Sequence, residues 1–314
     1  MSMHDRRRFI AGATSSALFS RGLPGQAGSV RKMKSHLVCS SLGVKASPTE
    51  AIELASRHGF EMVEPNGVYL ASLSESDMGA LLAGLKAKRL EFGTAGLPVD
   101  FRRDDAQFEA GLRELPGIAK ALQRAGVRRV GTYITPNHAT LTYPRNFKRH
   151  SQRLREAAGV LGEHDLRLGL EYVGPKTSWI SQRFPFIHTM AETKELIADM
   201  GRRNVGLVLD CWHWHMAGEK EEDLLSLRNE DIVSADISDA PAGIPIDQQM
   251  DLRRELPLAT GVIDLATFLN ALKKVGYDGP VRVEPFNEEL RKLPAEQAVA
   301  KAAQSLARAF ALIQ

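Results

Sequence analysis

The chain reads as an α/β protein, a single parallel eight-stranded (βα)8 barrel. Three observations predict it. Short apolar runs alternate regularly with amphipathic segments, the runs number eight, and no glycine-rich phosphate fingerprint follows the first of them, as an open doubly wound sheet would often carry. The 314 residues are 43% hydrophobic and 25% charged, an ordinary globular balance, and that length suits one α/β barrel.

The apolar runs are HLVCSSLG (36–43), FEMVEP (60–65), LEFGTAG (90–96), RRVGTYIT (128–135), RLGLEYVG (167–174), VGLVLDC (205–211), DIVSADI (231–237) and PVRVEPF (280–286). Each is β-rich or continuously apolar, as strands covered on both faces must be. Between them, PTEAIELASRHG, ESDMGALLAGLKAKR, NFKRHSQRLREAAGVLGEH and DLATFLNALKKVG are amphipathic. In the last, Leu265, Phe268, Leu269 and Leu272 recur at helical spacing. Ser47-Pro48 and Asp264 are helix-start signals, and Gly59 and Gly276 are stop signals. The longest connection, about 238–263, follows the seventh strand and is rich in Pro, Gly and Asp. A loop of that length on a barrel's active face is more often functional than idle.

Residues 1–34 differ from the rest and are expected to be a leader, leaving 35–314 as the barrel domain. Asp5-Arg6-Arg7-Arg8-Phe9-Ile10, a short apolar stretch and then Gly- and Pro-containing sequence resemble a twin-arginine export signal. The expected location is therefore periplasmic or exported; if the segment is a basic tail or lies ahead of a start at Met33, it is cytoplasmic. This segment carries seven Lys/Arg and one Asp, a net of +6, so the whole-chain +3 leaves about −3 for the body. The pI of 8.8 thus reflects the leader, and a nucleic-acid partner loses its main support. No stretch of about 20 apolar residues predicts a membrane span. Two cysteines, Cys39 and Cys211, exclude a disulfide scaffold and read as buried thiols inside strands.

Four of the strands end in acids: Glu171, Asp210, Asp236 and Glu284. In a closed parallel barrel every strand's C-terminal end opens onto one face, so residues distant in sequence meet there. Carboxylates brought together in that way repel unless a cation or shared proton neutralises them. A divalent metal held by oxygen ligands answers that need.

LEYVG, LDCWHWH, ADISDAP, GVIDL and YDGPVRVEPF occur in this order, and together they resemble the xylose isomerase-like barrel superfamily, in the sugar phosphate isomerase/epimerase group that includes D-tagatose 3-epimerase. The resemblance spans most of residues 36–312. It implies one divalent metal ion (Mn²⁺, Mg²⁺ or Co²⁺) held by Glu171, Asp210, Asp236 and Glu284. Asp236 departs from the family, which usually has His there. An all-carboxylate set favours hard ions such as Mg²⁺, Mn²⁺ or Ca²⁺, unless the position no longer ligates. The resemblance also implies that His213 contacts substrate oxygens. Lys176, in a loop where the epimerase carries a further acid, offers a cation to a far substrate group. Glu64, with Asn66 after the second strand, His138 after the fourth, and Arg254 with Asp247, Asp251 and Arg253 in the long loop, are further candidate substrate contacts.

The implied activity is isomerisation or epimerisation of a sugar or keto-sugar. Glu171 removes a proton next to a carbonyl, an enediolate forms, and Glu284 returns the proton. The same intermediate expelling a β-substituent makes a lyase or dehydratase. The rival readings are a non-catalytic sugar-binding barrel and a DNA-repair enzyme resembling endonuclease IV. The acidic body and scarce strand-end histidines weigh against the latter. The expected partner is a small-molecule carbohydrate, and the sequence leaves monomer and homo-oligomer both open.

Overall fold

The structure, a computed structural model, describes residues 31–313; the predicted leader lies almost wholly outside the described residues. The packed unit begins at Arg31, and Met33 is already buried in the core. Its β-strands are β1 Lys34–Leu37, β2 Met62–Val63, β3 in two segments Glu91–Phe92 and Thr94–Gly96, β4 Arg129–Tyr133, β5 Arg167–Glu171, β6 Val205–Asp210, β7 Ile232–Ile237 and β8 Pro280–Val283. All pair in parallel with their neighbours, and β8 returns to pair with β1 through Lys34–Pro280 and Ser35–Val281.

The two segments at the ends of the strand order are the two halves of β3, one paired with β2 and the other with β4. The ring therefore closes through a single run interrupted at Gly93, and nine segments make eight staves. The interruption has a steric cause. A Cβ at Gly93 would fall 2.5 Å from Nε2 of His36, whose buried ring fills the barrel interior at that point.

The main helices are α1 Pro48–Arg57, α2 Glu75–Ala87, α3 Asp105–Arg124, α4 Tyr143–Gly162, α5 Met190–Met200, α6 Cys211–Met216, α7 Leu265–Lys274 and α8 Ala295–Phe310. The expected signals act where they were read. Ser47 caps α1 in a reciprocal capping box with Glu50, and Asp264 accepts from the Thr267 amide at the start of α7. Gly59 and Gly276 both take the left-handed conformation just past helix ends. Leu265, Phe268, Leu269 and Leu272 are all buried.

Two details differ from expectation. Strand β6 stops at Asp210, and Cys211 opens α6 instead of ending the strand, because the Asp210 side chain accepts from the Trp212 amide and caps the turn. Strand β1 likewise stops at Leu37, and Cys39 precedes a short 3₁₀ turn. Both thiols are buried and unbridged, as their number implied.

The long connection is stapled internally. Asp239, fully buried, accepts from the amides of Ala240, Thr260, Gly261 and Ile263, and its backbone exchanges hydrogen bonds with Glu255. Four backbone donors on one carboxylate pin both ends of a loop that would otherwise leave those amides buried and unpaired.

Candidate active site

Each acidic strand end contributes for a local reason. Glu171 is the last residue of β5, Asp210 the last of β6, and Asp236 the penultimate residue of β7. Glu284 follows β8 directly, its amide still on the Ile237 carbonyl at 3.0 Å. All four side chains are buried. Ligand atoms of Glu171, Asp236 and Glu284 lie within 4.8 Å of one another, as do those of Glu171, Asp210 and His213. Glu171 is common to both groups, with Asp210 in one and Asp236 and Glu284 in the other.

Two arginines are built into the cluster. Arg254, from the long connection, sets Nη1 2.6 Å from Asp210 Oδ2 and 3.4 Å from Glu284 Oε2, and Nη2 2.7 Å from Asp251 Oδ1. Its guanidinium lies between the rings of Trp212 and Phe286, at 5.1 and 4.8 Å. Arg282 grips Asp236 with both arms of its fork, Nε to Oδ1 at 2.7 Å and Nη2 to Oδ2 at 2.5 Å, and reaches Glu284 Oε1 at 2.9 Å. Asp236 and Arg282 are direct partners in the β7–β8 register.

Sequence reasoning passed over Arg282. Its signal was a charged residue two positions before Glu284 in a buried strand, where alternation places both side chains on the same face. It also bears on Asp236: the acid that stands where the family has His is matched by a guanidinium on the next strand.

Burial, then the neighbouring charges of Glu284, Asp236 and Asp210, pushes the Glu171 carboxyl well above the ordinary carboxylate range. Burial likewise raises Glu284, to about 7, with Arg282 and Arg254 pulling the other way. Asp236 is raised by burial against the pull of Arg282. Glu64, lining the cavity above β2, is raised by burial as well.

Helix α6 carries His213, and Gly174 makes its placement possible. A Cβ at Gly174 would fall 2.6 Å from the His213 carbonyl; without one, the Gly174 amide reaches His213 Nδ1 at 3.2 Å. His213 Nε2 faces Arg254 Nη2 at 3.3 Å, Asp210 Oδ2 at 3.6 Å and Glu171 Oε1 at 3.9 Å. Burial lowers the His213 pKa. Of the two groups, Glu171, Asp236 and Glu284 form the one made of oxygens alone. It fits a divalent ion: Glu171 Oε1 is buried without a hydrogen-bond partner, and the five carboxyl groups, counting Asp251, outnumber the two guanidinium groups by three.

A cavity of about 310 Å³ opens onto this cluster, lined by Glu64, Glu171, Asp236, Arg282 and Glu284. His36, Thr94 and Arg102 line it too, and each of them carries a buried side-chain nitrogen or oxygen without a partner. Sequence reasoning named none of these three. His36 and Thr94 lie on strands with no acid at the end and Arg102 in the turn beyond β3, and only closure of the barrel sets them in one cavity with Glu171.

The remaining candidates are distributed as follows. Glu64 lines the cavity and Arg254 is in the cluster. Lys176 is half exposed and lies 3.7 Å from Asp247, linking two loops outside the cavity lining. His138 is also outside it, its Nδ1 accepting from the Thr140 and Leu141 amides of its own turn. Trp214 packs on Phe268 and donates to the Lys220 carbonyl, a rim-packing role.

Proteins of similar sequence and fold are known. Inosose isomerase of Bacillus velezensis is 26% identical over 254 residues, which are 79% of this chain and 86% of that protein. A xylose isomerase domain protein from Alicyclobacillus acidocaldarius superposes with a TM-score of 0.79 at 30% identity, covering 89% of this chain and 99% of that one. The IolI protein, solved with a bound zinc atom, superposes with a TM-score of 0.73 at 25% identity, covering 88% of this chain and 98% of that one. The xylose isomerase-like TIM barrel family model matches residues 52–309, and the chain belongs to that family.

Proposed function

We propose that this protein is a divalent-metal-dependent isomerase or epimerase of sugars or keto-sugars. The observation that carries the reading is the buried trio Glu171, Asp236 and Glu284 at the barrel mouth, with a raised carboxyl on either side of the cavity and an unpartnered oxygen on Glu171. Its membership in a family with a sugar-isomerising relative supports the same reading.

Glu171, Asp236 and Glu284, with Asp210 behind them, would hold the ion. When bound, a divalent cation supplies Lewis-acid polarisation of the substrate's carbonyl and hydroxyl oxygens. Glu171 acts as the base that removes the proton next to the carbonyl, since a carboxylate raised by burial is a stronger base than one in water. Glu284, raised to about 7, is populated in both protonation states near neutrality and returns the proton. The Arg282 guanidinium supplies donors to the developing oxyanion. The pairing of Asp236 with Arg282 keeps a positive charge against Glu284 at all working pH values.

The test is solvent-deuterium exchange into a panel of ketoses, with metal content measured on the purified protein. The expected result is about one equivalent of divalent metal and exchange that Glu284→Gln abolishes. Exchange at wild-type rate in that variant removes Glu284 from the mechanism, and metal-free protein that still exchanges removes the cation. Product analysis separates isomerisation from the lyase outcome, in which the enediolate expels a β-substituent.

A further inference from the structure

A second cavity of about 590 Å³ adjoins the catalytic one and shares Glu64, Gly96 and Leu97 with it as a common wall. It lies over the ends of β1–β3 and is nearly twice the size of the inner space. Its wall is less polar. Val44, Pro48, Pro65 and Pro98 give most of it an apolar surface, with Lys45 and Ser40 as polar exceptions, and three prolines make part of that surface stiff. Asn66 is occupied in capping the helix Gly67–Ser72 through the Tyr69 amide. Four residues of the inner wall hold buried polar atoms without partners; among the described residues, none of the outer wall does.

A free sugar has hydroxyls over its whole surface, and over most of the outer wall they would exchange water for hydrocarbon, with few partners such as Lys45 and Ser40 to replace it. A ring of carbons loses nothing there and gains burial. We propose that the barrel mouth binds a two-part substrate, a keto-sugar ring in the inner cavity and an apolar aryl or alkyl aglycone in the outer one, so that the substrate class is a glycoside and not a free monosaccharide. This rests on the carbohydrate reading above.

The test compares dissociation constants of methyl and phenyl β-D-glucopyranosides and galactopyranosides for the metal-loaded protein by calorimetry. The phenyl glycoside of the accepted sugar is expected to bind roughly tenfold or more tightly than its methyl counterpart. Ala46→Trp, in a loop on the outer wall, fills the space; Val68→Asp, 64% exposed at the rim, places a charge there without disturbing the core. Both variants should erase the phenyl preference and leave methyl glycoside affinity and ketose exchange at wild-type values. Equal affinity for the two glycosides overturns the outer subsite, and so does a preference that survives both variants. Binding of neither glycoside while ketose exchange persists also overturns it and spares the isomerase reading. Loss of binding and exchange together removes both.

Discussion

The two halves of the barrel mouth are built on opposite principles. Strands β5–β8 deliver Glu171, Asp210, Asp236 and Glu284 to two groups that share Glu171, with Arg254 on Asp210 and Arg282 on Asp236. Strands β1–β3 run out at Leu37, Val63 and Gly96 and wall an apolar cavity. The charged half opposes folding, since every buried charge there loses hydration that the neighbouring ion pairs only partly restore. The apolar half loses nothing comparable on burial. A symmetric scaffold thus concentrates strain and reactivity in one half and leaves the other to hold the chain together and to shape what enters.

That contrast can be broken most forcefully at the base. Glu171→Gln is expected to lower deuterium exchange by about 10²–10⁴-fold while leaving the thermal midpoint unchanged or raised, because a neutral amide removes a crowded negative charge. A fall in the midpoint with little loss of exchange would make Glu171 a structural residue.

The arginine clamp comes next. Arg282→Met leaves Asp236 buried and unpaired and should cost about 3 kcal/mol in urea unfolding, whereas the Asp236→Asn/Arg282→Met double variant should recover part of it. If the single variant costs no more than the double, the two groups are not coupled. Dialysis against a chelator should then lower the thermal midpoint, and added Mn²⁺ or Mg²⁺ should restore it, because an ion that binds only the folded state stabilises it in proportion to its saturation. An unchanged midpoint argues against a site at the trio.

The pH response reports on His36, which lines the inner cavity from β1. Burial and the nearby Arg282 lower the His36 pKa to about 3. The unfolded chain takes up a proton below about 6.5 and the folded chain does not, so stability is full above that pH and declines as pH falls toward 3. Between pH 6.5 and 5 this residue should contribute a loss of about 2 kcal/mol, which His36→Gln removes; an unchanged pH slope in that variant would show that the ring is protonated inside the fold. The smallest effect belongs to the rim: Val68→Ser should shift stability by no more than about 0.5 kcal/mol and leave ketose exchange untouched.

How far the site was legible follows from where its parts lie along the chain. Glu171, Asp210, Asp236 and Glu284 could be read because each closes a continuous apolar run, and the barrel rule carries every such end to one face. His213 was legible through its motif but not its partners, an amide 39 residues away on Nδ1 and the Arg254 guanidinium on Nε2. Lys176 and His138 stand beside strand ends in sequence, yet local partners hold both outside the cavity lining.

Taken alone, the amino-acid order determined the eight staves, the caps that begin and end their helices, and the four converging acids, because periodicity, capping and strand ends are properties of neighbouring residues. Only the tertiary structure decided that Arg282 clamps Asp236, that Arg254 returns from a stapled loop onto Asp210, and that β1–β3 wall an apolar chamber beside the acids. The two arginine contacts join residues 46 and 44 positions apart, and are fixed by register and closure. No local pattern encodes which charge a buried side chain will meet across the barrel.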